Sequence, residues 1–191
     1  MTGAFAVLLL AGCSHEEVGP VTAHASEFTA AGPWAAEFAE SAATASAYQK
    51  AILSDGKVTA DELAEAQNRA SSCMKDFGYD YTTAEDGTSE ASPLPGRKAR
   101  DAETVNEYML QCSGEFDSAV TYLFNEVRRN PEKQDEAKMT VACLREAGLV
   151  DGSYTERLWR AEYDEGVFSF SEWDPAAVQC RLDPLGLWRT P

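Results

Sequence analysis

Five cysteines, two histidines and a few carboxylates beside aromatic rings are the residues of this chain whose types could do chemistry. Glycoside hydrolysis needs two carboxylates across one bond, one protonated and one ionised. Glu156, Glu162 and Asp164, near Trp159 and Tyr163, are where such a pair would meet a ring able to hold a sugar. Exposed carboxylates on a solvated helix face account for the same three residues without a reaction. Nucleophilic catalysis of the Ser–His or Cys–His kind needs an imidazole held in place by the fold. His15 and His24 both lie in residues 14–32, a small, polar stretch without periodicity, so that chemistry is not expected. Neither a Gly-rich phosphate loop nor a CxxC pair occurs, so no cofactor and no metal centre is expected. The sequence points away from an enzyme.

Residues 55–62 imitate the second half of an EF-hand calcium loop, with Gly56, Val58 and Glu62 in register. The first and third ligand positions then fall on Ala51 and Leu53, which offer no side-chain oxygen, and calcium would lose two of its strongest ligands. A helix–turn–helix joint explains every residue of the segment. The aromatic set Trp159, Tyr163, Phe168, Phe170, Trp173 and Trp188 is dense for its length. It reads first as the core of a folded unit. It could also form a platform for a sugar or peptide, with Trp159, Tyr163 and Trp173 as candidate binding residues.

The elements that must position these residues are helical. Trp34, Phe38, Ala42, Ala45, Tyr48 and Ile52 recur every three or four residues, so one helix is expected from Pro33 to Ser54. Thr59 and Glu62 form a capping box that opens a second helix, which Gly78 ends. Residues 80–100, rich in turn formers and broken by Pro93 and Pro95, are expected as a long exposed loop. Further helical patterns run over 102–112, 115–129, 132–147 and 155–163, and Asp174-Pro175 starts another. Strand-type alternation is weak, with residues 167–170 its best instance. The expected fold is mostly α: helical hairpins or a bundle.

Cys73-Met-Lys-Asp-Phe-Gly-Tyr79 and Cys143-Leu-Arg-Glu-Ala-Gly-Leu149 match class by class. Each is followed after a similar interval by a Gln-Cys pair, Gln111-Cys112 and Gln179-Cys180. Four cysteines allow three connectivities. The weak duplication selects Cys73–Cys112 and Cys143–Cys180, one bridge for each of two units, about 33–112 and 115–191. Hydrophobic residues make up 44% of the chain, an ordinary globular content, and the net charge is −16. Such a surface repels nucleic acid and anionic lipid headgroups, so no nucleic-acid partner is expected.

A short apolar run, residues 4–10, leads into Leu10-Ala11-Gly12-Cys13. It is far shorter than the ~20 residues that a membrane-spanning helix needs. Residues 1–12 carry no Lys or Arg, unlike the usual basic start of a secretory signal. The tetrapeptide resembles the lipobox of bacterial lipoproteins. That resemblance implies a signal peptide over residues 1–12, cleavage before Cys13 and acylation of Cys13. It places a lipid-anchored protein on the extracytoplasmic face of the cell membrane, with a flexible tether over residues 13–32 and a helical domain over 33–191. With the two cysteine-led helix ends, the layout resembles uncharacterised exported helical lipoproteins of high-GC Gram-positive bacteria. The expectation is a non-enzymatic lipoprotein that binds a partner of the cell envelope or supports an assembly there. The alternative is a cell-wall-directed hydrolase using paired carboxylates.

Overall fold

The computed structural model describes residues 29–189. The expected signal peptide over residues 1–12, Cys13, His15 and His24 lie outside the described residues. Among the described residues, eight helices and one two-stranded sheet occur, so the fold is mostly α.

The first stripe is two helices, not one: α1 (Ala35–Thr44) and α2 (Ala47–Leu53). Ser46 breaks it. Its hydroxyl oxygen accepts from the Gln49 N–H at 3.1 Å and caps α2, and it donates to the Glu115 carbonyl at 2.5 Å. The kink turns α2 toward the following helices. α3 (Ala60–Asp76) opens with the expected capping box, in which Thr59 Oγ1 accepts from the Glu62 N–H and Glu62 Oε2 accepts from the Thr59 N–H. The glutamate that imitates a calcium ligand is committed to this cap.

Residues 80–100 are not a plain loop. β1 (Tyr79–Thr83) and β2 (Ser89–Pro93) pair antiparallel, with Tyr81 opposite Ala91. Tyr79 and Tyr81 turn inward while Asp80 and Thr82 face solvent, the period-two alternation of a half-buried strand. The alternation is only four residues long, and the surrounding turn formers mask it. Residues 167–170, the stretch with the best strand pattern, are irregular.

α4 (Ala102–Phe116) and α5 (Ser118–Arg129) follow, separated by the single residue Asp117. The Asn130-Pro131 break leads to α6 (Glu136–Glu146), α7 (Glu156–Glu165) and α8 (Pro175–Leu182). Cys73–Cys112 joins α3 to α4 and Cys143–Cys180 joins α6 to α8, with Cα separations of 5.7 and 5.6 Å. The helix ends that carry the first cysteine of each bridge are alike: Gly78 and Gly148 have φ of +88° and +70°, which a side chain would strain.

Three apolar clusters form the core. Trp34, Phe38, Leu53 and Ala66 pack with Val120 and Leu123, so α5 buries its stripe against α1–α3. Around the first disulfide, Ala70, Met74 and Cys112 pack with Tyr79 and Tyr81 of the hairpin. Around the second, Ala137, Val141, Leu144 and Cys180 pack with Tyr154 and Trp159. No described helix is long and apolar enough to cross a membrane.

Candidate functional site: an aromatic cleft

A cleft of about 640 Å³ lies where α1, the end of α5, the hairpin turn and the second disulfide unit meet. Its aromatic walls come from three places, each held by a local device. Trp34 is fixed because its Nε1–H donates to the Asn130 carbonyl at 2.8 Å. Asn130 is itself clamped, since its side chain exchanges two hydrogen bonds with the Gln134 backbone. Trp159 and Tyr163 are one turn apart on α7 and stack at 5.0 Å between centroids. Phe168 and Phe170 follow at 5.1 Å.

Trp188 closes the third side, and Asp183 positions it. The Asp183 carboxylate is buried and accepts backbone N–H bonds from Leu187, Trp188 and Arg189 at 2.7, 2.9 and 2.7 Å. Burial disfavours its charge, but the three N–H bonds outweigh that and hold its pKa below the usual carboxylate value. The Arg128 guanidinium lies 3.6 Å from the Trp188 ring centroid and donates to the Glu85 carbonyl.

The polar part of the cleft is a network centred on Arg129. Its two terminal nitrogens meet Glu136 at 2.8 and 2.6 Å, and Nη1 also reaches Glu126 at 3.5 Å. Its Nε–H donates to the Arg181 carbonyl at 3.1 Å. Burial raises the Glu126 pKa despite this neighbour. For Arg129 burial works in the opposite sense, yet the Glu136 bonds outweigh it and the pKa rises. Lys133 pairs with Glu37 at the rim, and Arg181 lies 3.6 Å from Asp86. Most charges in the cleft are paired among themselves, but Arg128 pairs with no carboxylate, and Glu37 Oε2, Arg128 Nε and Trp188 Nε1 are buried without a hydrogen-bond partner among the described residues. Rings with mostly paired charges and a few unpartnered donors and acceptors between them can stack on a planar or CH-rich ligand and bond its hydroxyls without demanding a net charge.

Of the candidate binding residues, Trp159 and Tyr163 line this cleft together with Phe168, Phe170 and Trp188. Trp173 does not; it stands 80% exposed elsewhere on the surface. Glu156, Glu162 and Asp164 are not brought together. Glu156 and Glu162 are six residues apart on α7, about 240° around the helix, and Glu162 accepts the Tyr154 hydroxyl at 2.5 Å. None of the three lines the cleft. Sequence reasoning missed Arg129, Glu126, Glu136 and Asp183. The available signal was the Arg128-Arg129 pair just before Asn130-Pro131, which reads equally well as a favourable last helical turn. Compared with protein families, curated proteins and solved structures, this chain shows no match.

Proposed function

We propose that this chain is a membrane-anchored, extracytoplasmic lipoprotein of the binding type, held through an acylated Cys13, with the aromatic cleft as its ligand site. The ligand is a neutral, hydroxyl-rich molecule with a flat CH face, best matched by a glycan segment of the cell envelope. The observation that carries this reading is the convergence of Trp159–Tyr163, Phe168–Phe170 and Trp188 on one cleft most of whose charges are already paired. Aromatic faces supply contact area at low entropic cost, and paired charges contribute hydrogen bonds rather than a net field. Calorimetric titration of the purified chain with soluble cell-wall glycan fragments tests the site, with saturable binding expected. A peptide fragment that bound in their place would remove the glycan assignment. For the anchor, the expected result is that Cys13→Ser moves the protein from the membrane fraction to the soluble one, and wild-type-like retention would remove it.

One observation favours the hydrolase as a second reading. Glu126 and Glu136 both contact Arg129, and their environments differ: burial raises the pKa of Glu126, whereas Glu136 is held by a two-pronged guanidinium bond. Release of wall sugars that is abolished by Glu126→Gln and by Glu136→Gln would replace binding with hydrolysis. Absence of release from intact walls favours binding.

A further inference from the structure

The joint between α4 and α5 leaves one carboxyl in an unusual place. Where one helix ends and the next begins, carbonyls of the first and N–H groups of the second both lack helical partners. Gln49 of α2, 1% exposed, serves both ends. Its Nε2 donates to the Gly114 carbonyl at 2.7 Å, and its Oε1 accepts from the Ala119 N–H at 2.8 Å. An aspartate at this position would ordinarily cap α5 with its own side chain. Asp117 makes no such bond, because Gln49 has taken the role. Its side chain is nevertheless buried, 2% exposed, and Oδ1 has no hydrogen-bond partner among the described residues.

Asp117 lines a second cleft, of about 410 Å³, between the hairpin, α4 and α5. Asn106 and Asn125 offer amide groups there, and Met109 and Leu110 offer hydrocarbon. The charged residues of its lining are Asp86, Asp117 and Glu126, with no Lys, Arg or His among them. Asp86 is hydrogen-bonded to Thr88 and faces Arg181, and Glu126 faces Arg129. Asp117 alone lacks a counter-charge. An anion would meet three carboxyls here, and a neutral ligand would leave the buried charge uncompensated. A divalent metal ion needs several converging ligands, and no three Asp, Glu, His or Cys groups converge in that way among the described residues.

We propose that this second cleft binds a small organic cation, a primary ammonium group on a short hydrocarbon chain, with Asp117 receiving the ammonium. Its three N–H donors match a carboxylate oxygen plus the hydroxyls of Ser113 and Ser118, both within one helical turn of Asp117, while Met109 and Leu110 take the chain. The site shares Asp86, Tyr122, Asn125 and Glu126 with the aromatic cleft but uses neither its stacked rings nor its tryptophans, so the two assignments stand or fall separately.

NMR titration of the isotope-labelled full chain with n-butylammonium chloride tests the proposal, with n-butanol as the neutral counterpart. The expected result is saturable shifts of the Ser113, Ser118 and Thr121 amides, with butanol binding at least about tenfold more weakly. Asp117→Asn keeps the side-chain shape and should weaken butylammonium about tenfold. Leu110→Lys, at an exposed position, should weaken it too by placing a like charge at the rim. Equal binding of butanol, unchanged affinity in Asp117→Asn, or saturation by calcium but not by butylammonium would each overturn the assignment.

Discussion

The two disulfide units share a frame and differ in what fills it. In each, a helix carries a cysteine, ends at a positive-φ glycine and is bridged to a later helix. The first unit fills the interval with a β-hairpin whose Tyr79 and Tyr81 are buried on the bridge. The second fills it with α7 and an irregular stretch in which Tyr163, Val167 and Trp173 stand 62%, 67% and 80% exposed. Each unit also has a stacked aromatic pair. Phe77 and Tyr108 stack at 4.2 Å beside the first bridge, whereas Trp159 and Tyr163 stack at the mouth of a cleft. The bridge therefore fixes the frame, and the insert decides whether aromatic residues become core or surface.

The largest expected effect leaves that comparison symmetric. Cys112→Ser and Cys180→Ser each release a loop of similar size and should each lower stability by about 4 kcal/mol, measured by urea unfolding. A several-fold difference between them would show that one bridge is incidental to its unit. The next separates the inserts. Tyr81→Ala, 5% exposed in the wild type, should cost about 3 kcal/mol. Tyr163→Ala should cost about 0.5 kcal/mol or less by the same assay, as befits an exposed ring.

A further contrast lies just beyond each bridge, where a buried aspartate stands. Burial pushes Asp117 up to about 6 from 3.8. Its carboxyl costs nothing below about pH 4; the cost accumulates between about pH 4 and 6, where the folded protein still holds a proton that the unfolded one has lost, and is complete above 6. Asp117→Asn should therefore stabilise the protein by about 2 kcal/mol near pH 8 and change little near pH 4. Asp183 is shifted in the opposite direction. Its contribution is present above the ordinary carboxylate pKa and fades in acid, so Asp183→Asn should destabilise at neutral pH and less so on acidification. Thermal unfolding of the two variants across pH should give slopes of opposite sign. The smallest effect is expected at Trp173→Ala, within about 0.5 kcal/mol by urea unfolding, since that ring packs into none of the core clusters.

Local signals made much of this legible. The Thr59–Glu62 box, the terminating glycines and Asp174-Pro175 act within one turn of helix, and the structure places them where the sequence does. The duplicated cysteine segments identified both bridges. The hairpin was hidden because its four-residue alternation sits among turn formers, and the packing of its two inward tyrosines against α3 and α4 exists only in three dimensions. The site was less legible still. Arg129 meets Glu136 across the Asn130-Pro131 joint, Asp183 organises residues four to six positions later, and Gln49 joins helix ends from another part of the chain. Such contacts depend on packing and leave no periodic trace.

The most direct test of the cleft as a glycan site is a paired titration of soluble cell-wall glycan against Tyr163→Ala and Phe77→Ala. Both remove an exposed stacked ring, one at the cleft of the second unit and one beside the bridge of the first. Glycan affinity should fall about tenfold in Tyr163→Ala and stay at the wild-type value in Phe77→Ala. Equal loss in both variants, or none in Tyr163→Ala, would contradict the assignment.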